Sequence, residues 1–479
     1  QQRTNKNNKS HTNKNKNKKI KKAGGGTGGA GALMAAAGKV ARMFMRLLLI
    51  LAPLHILGAA GQTCGAWIDQ QPSGEHELER GSTCAIAKQV SIESNVLTLK
   101  SAAYSSSNPN RAKLVLAFEG VMFHLNGVAK LFLHDLVLDG DKMSGYCIKA
   151  TGNSHVEIGG TLIRYFYDSP HKSFTNPVDI KSDSGTSRSK LVLLDGTSIE
   201  DNIGRYGGVL IHGNSDLEVT GEVAIRLSKT TSNCCGALYA QGANNITVKG
   251  ASTKFLLEGG ETDTGRSMGL TMREGAKMIV SDGATFAIRN NKAAKAAAGE
   301  IYASASLKIE GSGSQLIVEG NNAAKGATGG LEIREGSELK VVEGASFILK
   351  GNTAKTHGGG MTIQDPGSRL VVTGANSQMH VENNIATSGS GGGIAVGTGA
   401  TIYSMAPSLF RGNKAVKADG GGIGFVSLVE RDNGASTCVQ VVMKTRSSET
   451  KTVVKRAKIY TEPATVLQTE VGIFRGSYY

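Results

Sequence analysis

The stretch FILKGNTAKTHGGGMTIQ runs from Phe347 to Gln364 and contains the whole repeating pattern of the chain. Phe347 and Leu349 face one way in a period-two alternation, and Asn352 follows. Small residues lead to a glycine cluster, then Met361 and Ile363 alternate again. Working outward, the last glycine of each cluster and the three residues after it recur as Gly422-Ile-Gly-Phe, Gly393-Ile-Ala-Val, Gly360-Met-Thr-Ile and Gly330-Leu-Glu-Ile. Toward the N-terminus come Gly299-Glu-Ile-Tyr, Gly269-Leu-Thr-Met, Gly236-Ala-Leu-Tyr and Gly208-Val-Leu-Ile, then two weaker copies at Pro177 and Gly145. The spacing is 28 to 33 residues, which marks one supersecondary unit used ten times.

Each unit holds three short alternating segments. One follows the glycine. A second reads Leu217/Val219, Ile246/Val248, Met278/Val280, Leu307/Ile309, Leu339/Val341 and Leu370/Val372. A third precedes the Asn, as in Phe255/Leu257, Phe286/Ile288, Leu316/Val318, Phe347/Leu349 and Met379/Val381. Period two with one apolar face means half-buried strands. Three strands per turn of roughly 31 residues, with Gly, Asn, Asp and Ser between them, describe an all-β coil that winds and stacks on itself. No run of amphipathic helices accompanies the repeat, and a propeller blade needs about 40 residues and four strands.

Asn202, Asn291, Asn321, Asn352, Asn384 and Asn413 share one register, with Ser228 and Gly260 in the same place in two coils. Asn suits the left-handed conformation of tight turns, and stacked copies bond to one another up the coil. The reading of this row is structural.

The paired motifs, FAIRNN or FILKGN with GGLEI, GGGMTI or GGGIAV, resemble the repeats of chlamydial polymorphic outer-membrane proteins. More widely they resemble right-handed parallel β-helices of the pectin-lyase-like class. The resemblance is good over about residues 190–430 and weak over 110–190. It implies a right-handed parallel β-helix of about ten coils, secreted or displayed on a surface and often adhesive. After Val441 only 38 residues remain, too few for the membrane β-barrel of the bacterial proteins. Residues 431–479 are therefore expected to be a C-terminal cap or a truncated region.

Charge divides the chain. The net charge is +15, but residues 1–42 hold eleven Lys/Arg and no acidic residue, and Arg46 adds one more. From Gln62 onward 42 basic residues face 39 acidic ones, so the body carries no basic excess for nucleic acid. Residues 1–42 read as a disordered low-complexity leader or a gene-model artefact. Residues 43–61, MFMRLLLILAPLHILGAAG, have the layout of a signal peptide: a basic start, an apolar run and small residues before Gln62. The apolar run is shorter than the roughly 20 residues of a membrane span, so no stable span is expected after cleavage. Residues 62–110 are assigned to an N-terminal cap and first coil, and 111–430 to the β-helix.

Export makes disulfides available to the six cysteines. Cys64 and Cys84 are close enough in sequence to staple the cap. No metal-ligand spacing accompanies the cysteines, and neither metal nor cofactor is expected. Asn245-Ile246-Thr247 is a glycosylation sequon.

An active site on such a scaffold needs ionisable side chains converging on outward positions of adjacent coils. Counting from each glycine, the outward positions read Cys147, Asp179, Leu210, Leu238, Thr271, Ile301, Glu332, Thr362, Ala395 and Gly424, which leaves Asp179 and Glu332 five coils apart. The acidic candidates are then Asp179 and Asp183, near Arg164 and Asp168, in the irregular early coils. Arg273-Glu274-Gly275 and Arg334-Glu335-Gly336 read as salt-bridged turns, and His357 as a turn residue. The expected function is extracellular binding or adhesion without chemistry, with glycans or surface proteins as partners. The alternative is a polysaccharide lyase, hydrolase or epimerase.

Overall fold

A computed structural model describes residues 73–103, 110–167, 176–182, 187–230, 235–323, 325–418, 420–425 and 440–443. Residues 1–61, Cys64, Trp67, Asp168, Asp183, Cys234, Cys438 and most of 431–479 lie outside the described residues.

The chain is a parallel β-solenoid. Three sheets of 13, 12 and 12 strands run its length, and every strand pairs with the equivalent strand of the turns before and after. The first turn is Gly74–Leu78 in the first sheet, Thr83–Ile86 in the second and Val90–Glu93 in the third. The ten repeat units follow, with one further turn between, at Gly120–Asn126 in the third sheet. Those two early turns lack the glycine clusters that reveal the later ones.

Register is what makes the alternation work. Phe255 pairs with Phe286, then Leu316, Phe347 and Met379, so one inward apolar row continues from coil to coil. The rings of Phe255 and Phe286 stack at 5.4 Å between centroids. These residues belong to one continuous buried cluster from Leu78 to Ile423. Each fully buried side chain of this size contributes about 1.5–3 kcal/mol.

The outward rows of the first two sheets are ladders of opposite charge. In the first sheet Glu218 bridges Lys190 (2.7 Å) and Lys249 (2.8 Å), and Arg369 meets Glu338 at 2.9 Å. In the second, Arg289 and Lys350 flank Glu319, and Arg411 meets Glu382 at 2.7 Å. Such cross-strand pairs favour the right register but contribute only a few tenths to about 1 kcal/mol each.

The asparagine row lies inside. The main-chain N–H of Asn291, Asn321, Asn352 and Asn384 each donates to Oδ1 of the next Asn at 3.0 Å, ending on Asn413. The Nδ2 groups donate to the same Oδ1 atoms at 2.9–3.0 Å and back to the main-chain carbonyl of the preceding coil, as from Asn352 to Val318 at 2.9 Å. Both lone pairs and both protons of a buried amide are used, so the row carries no unsatisfied polar group. Asn202 stands apart, accepting from the Phe166 N–H at 3.0 Å and donating to the Ile163 carbonyl. The left-handed conformation belongs not to these asparagines but to the residue before each. Asp201, Asn290, Gly320, Gly351, Asn383 and Gly412 all have φ between 54° and 67°. Leu227, before Ser228, is forced into the same conformation (φ 48°) with its side chain in solvent.

Two predictions follow from this geometry. Replacing Asn352 by Ala strands the Asn321 N–H and amide inside, and should cost about 3 kcal/mol in denaturant unfolding, whereas Asn413→Ala at the half-exposed end should cost about 1. Leu227→Gly relieves a left-handed leucine and should stabilise by about 0.5–1 kcal/mol in the same assay.

Candidate functional site

The third sheet differs from the other two. Its outward row, followed through the hydrogen-bonded register, runs Lys149, Asp179, Leu210, Tyr239, Thr271, Glu300, Glu332, Thr362, Ala395 and Gly424. The expectation from the glycines fails at three places. Cys147, Leu238 and Ile301 point inward and are fully buried, while Lys149, Tyr239 and Glu300 take the outward positions. The reason is that Ala237 and Ala298 substitute for the last glycine of their coils, so counting from Gly236 or Gly299 slips by one. At Cys147 the alternation itself breaks. Cys147 and Ile148 are both buried, and their N–H groups share the Pro177 carbonyl at 2.9 Å.

A second outward row lies two residues further along each strand. It reads Lys181, His212, Gln241 and Arg273. The two rows enclose a concavity of about 220 Å³ lined by Asn176, Asp179, Tyr206, Leu210, His212, Tyr239 and Gln241. Asp179 Oδ1 accepts from His212 Nε2 at 2.9 Å. The rings of Tyr206 and Tyr239 stack at 5.1 Å and 15°. Tyr239 donates its hydroxyl proton to Gln241 Oε1 at 2.8 Å, and Gln241 Nε2 donates to Glu274 at 2.7 Å. Burial pushes the Tyr239 phenol up to about 12, so it remains a neutral donor. Asn176 uses its Oδ1 to accept from the Tyr206 N–H at 2.9 Å, but its buried Nδ2 has no partner.

Two coils beyond Tyr239, the row brings two carboxylates together. Glu300 and Glu332 are register partners on adjacent strands, both almost wholly buried. Arg266 Nε reaches Glu300 at 3.1 Å, Lys295 Nζ reaches Glu332 at 3.3 Å, and Arg334 lies between them, 3.2 Å from Glu300. Gln364 Nε2 donates to Glu332 Oε1 at 2.8 Å, while Oε2 has no partner. Burial, then the neighbouring Glu300, push the Glu332 carboxyl above its ordinary value. Arg334 also packs on Tyr302, 4.0 Å from the ring centroid, with Arg273 on the same ring at 5.4 Å. Each arginine is paired with the glutamate after it, so the two turns that read as salt-bridged are also the clamps of Tyr302.

Of the residues chosen from sequence, Asp179 lies in the concavity. Arg164 does not join it. It sits in the second sheet, where its Nε meets Asp139 at 3.2 Å beside Lys113. Asn245 is exposed and donates to Asp216 at 3.1 Å. His357 accepts from the Ser390 N–H in a turn. Cys84 and Cys235 are each in a disulfide, not with one another, and Cys147 is a buried free thiol. Among the described residues no cluster of His, Cys, Asp or Glu forms a metal site, and no helix is long and apolar enough to cross a membrane. His212, Tyr206, Tyr239 and Glu300 were missed. The corrected register finds Tyr239 and Glu300, His212 follows from carrying the outward alternation two residues past Leu210, and Tyr206 precedes its strand and carries no signal in the alternation.

No protein-family model, curated protein or solved structure matches the chain.

The buried glutamate has a testable signature. Above pH 4.5 the unfolded chain releases this proton while the folded one keeps it, so stability falls as pH rises from 4.5 toward the raised folded value. Glu332→Gln removes this loss. Its advantage over wild type should grow by about 1.4 kcal/mol per pH unit across that window in urea unfolding, whereas parallel curves would show a normal carboxylate.

Proposed function

We propose that the chain is a secreted or surface-displayed β-solenoid that binds an extracellular partner, without chemistry, through the outer face of its third sheet. The observation that carries this reading is the concavity at Asp179. It combines stacked tyrosines with an unpaired buried amide, Asn176 Nδ2, whereas the outward rows of the other sheets are ion-pair ladders. Preformed recesses with an apolar lining and a few open polar groups are the usual form of a ligand site. The likeness of the FILKGN and GGGMTI segments to the repeats of chlamydial polymorphic outer-membrane proteins supports display and adhesion. The signal-peptide layout of residues 43–61 supports export.

The enzyme reading rests on Glu300 and Glu332, whose spacing on adjacent coils suits a carboxylate pair. Their burial under Arg266, Lys295 and Arg334 argues for a structural network instead, since a substrate has no route to them. Breaking such a buried network costs several kcal/mol, so a structural role accounts for it without catalysis.

The full chain should be retained on an array of extracellular glycans and surface proteins, and should leave uronate and neutral polysaccharides uncut with or without calcium. Tyr206→Ala and His212→Ala should each lower retention about tenfold or more, a loss of about 1.4 kcal/mol. Lys254→Ala, on the second sheet, should leave it unchanged. Cleavage of any polysaccharide, or retention indifferent to Tyr206 and His212, would contradict the proposal.

A further inference from the structure

The open hydrogen-bonding groups of the concavity restrict what can fill it. Asn176 Nδ2 offers its protons with no protein acceptor, at a residue 1% exposed. Leaving such a donor buried and unpaired costs about 1–3 kcal/mol, which a ligand acceptor recovers. In the same lining, Asp179 uses one carboxylate oxygen for His212, and its Oδ2 has no partner among the described residues. His212, also in the lining, reaches Asp179 through Nε2, which leaves Nδ1 as an acceptor in the tautomer this bond selects. Tyr206 adds a hydroxyl with no protein partner among the described residues. Leu210 and the tyrosine pair supply the apolar part of the lining.

A ligand must therefore accept on one side and donate on the other. An ammonium only donates and would leave Asn176 Nδ2 unpaired. A carboxylate or phosphate only accepts, so it leaves Asp179 Oδ2 without a donor and meets a carboxylate in the lining, while Lys149 and Lys181, the neighbours of Asp179 in the sheet, lie outside that lining. A hydroxyl does both, and neighbouring hydroxyls on a ring satisfy Asn176 and Asp179 together while C–H faces meet the apolar surface. The volume, about 220 Å³, is below the roughly 300 Å³ at which pockets for drug-sized molecules begin, so it suits one ring rather than several.

We infer that this concavity is the seat for a single neutral sugar ring of a glycan, held between the Asn176 amide and the Asp179–His212 pair. The inference rests on the binding reading above and adds the ligand class to it.

The test titrates the full chain with the methyl glycosides of glucose, galactose and mannose at millimolar concentration, alongside galacturonate and butylammonium, by saturation-transfer NMR and calorimetry. At least one neutral glycoside should bind, about tenfold or more tighter than either charged probe, a difference of about 1.4 kcal/mol. Asn176→Asp keeps the acceptor for the Tyr206 N–H and replaces the open donor, so it should abolish binding. Asp179→Asn keeps the oxygen that faces His212 and reverses the other group, so it should do the same, and it stands in if Asn176→Asp does not fold. Neutral binding unaffected by both substitutions would overturn the inference, as would preference for galacturonate or butylammonium. An array signal that depends on Tyr206 and His212 with no neutral glycoside bound would overturn the ligand class alone. A signal indifferent to those residues would remove the binding face as well.

Discussion

Everything in this molecule depends on parallel, in-register stacking of one coil on the next. Because every strand pairs with its own equivalent one turn away, a side chain meets the side chain at the same place in the repeat. A choice made once is then tested at every coil. Phe on Phe, Asn on Asn and Glu beside Lys are favourable stacks, so they recur. The asparagine row is the most demanding of these, since a buried amide is tolerated only when both lone pairs and both protons are used. Uninterrupted repetition from Asn291 to Asn413 achieves that.

Repetition also explains where function can sit. A surface built from identical rows satisfies itself and offers nothing distinctive. The third sheet departs from repetition twice, at Asp179 to Gln241 and at Glu300 to Glu332. The first departure surrounds a recess that the unpaired Asn176 Nδ2 lines, and the second is buried beneath three cations, with Glu332 Oε2 unpaired inside it. Only the first is available to a partner. Of the tyrosines that wall it, Tyr239 arises in a coil where the glycine pattern is disturbed, with Ala237 in place of the last glycine, and Tyr206 directly precedes the intact Gly207-Gly208 pair.

The architecture was legible because period-two alternation and glycine spacing repeat often enough to outvote local noise. Coil length, strand number and the inward apolar rows all read directly from Phe347, Leu349, Met361 and Ile363 and their equivalents. The site was legible only at Asp179. Glycine served as the ruler for outward positions, and alanine does the same steric duty at 237 and 298. That one-residue slip turned Tyr239 and Glu300 into Leu238 and Ile301, and a one-residue slip in a strand reverses the face. It also hid the Glu300–Glu332 contact behind an apparent gap of five coils between acidic residues. The role of asparagine was displaced by one residue in the same way. The tight turn falls on the preceding residue, and the amide serves the stack.

The measurement that bears most directly on in-register stacking is a ruler along one outward row. Lys130, His155, Lys190, Asp216, Asn245, Lys277, Ser306, Glu338 and Arg369 are successive register partners in the first sheet. At about 4.8 Å per strand, spin labels at 130 and 277 should lie about 24 Å apart, and labels at 130 and 369 about 38 Å. Narrow distance distributions by pulsed electron resonance at these two values, growing in proportion to coil number, are the predicted result. Distances that fail to grow with coil number, or broad distributions, would contradict the stack on which the asparagine row and the third-sheet site both rest.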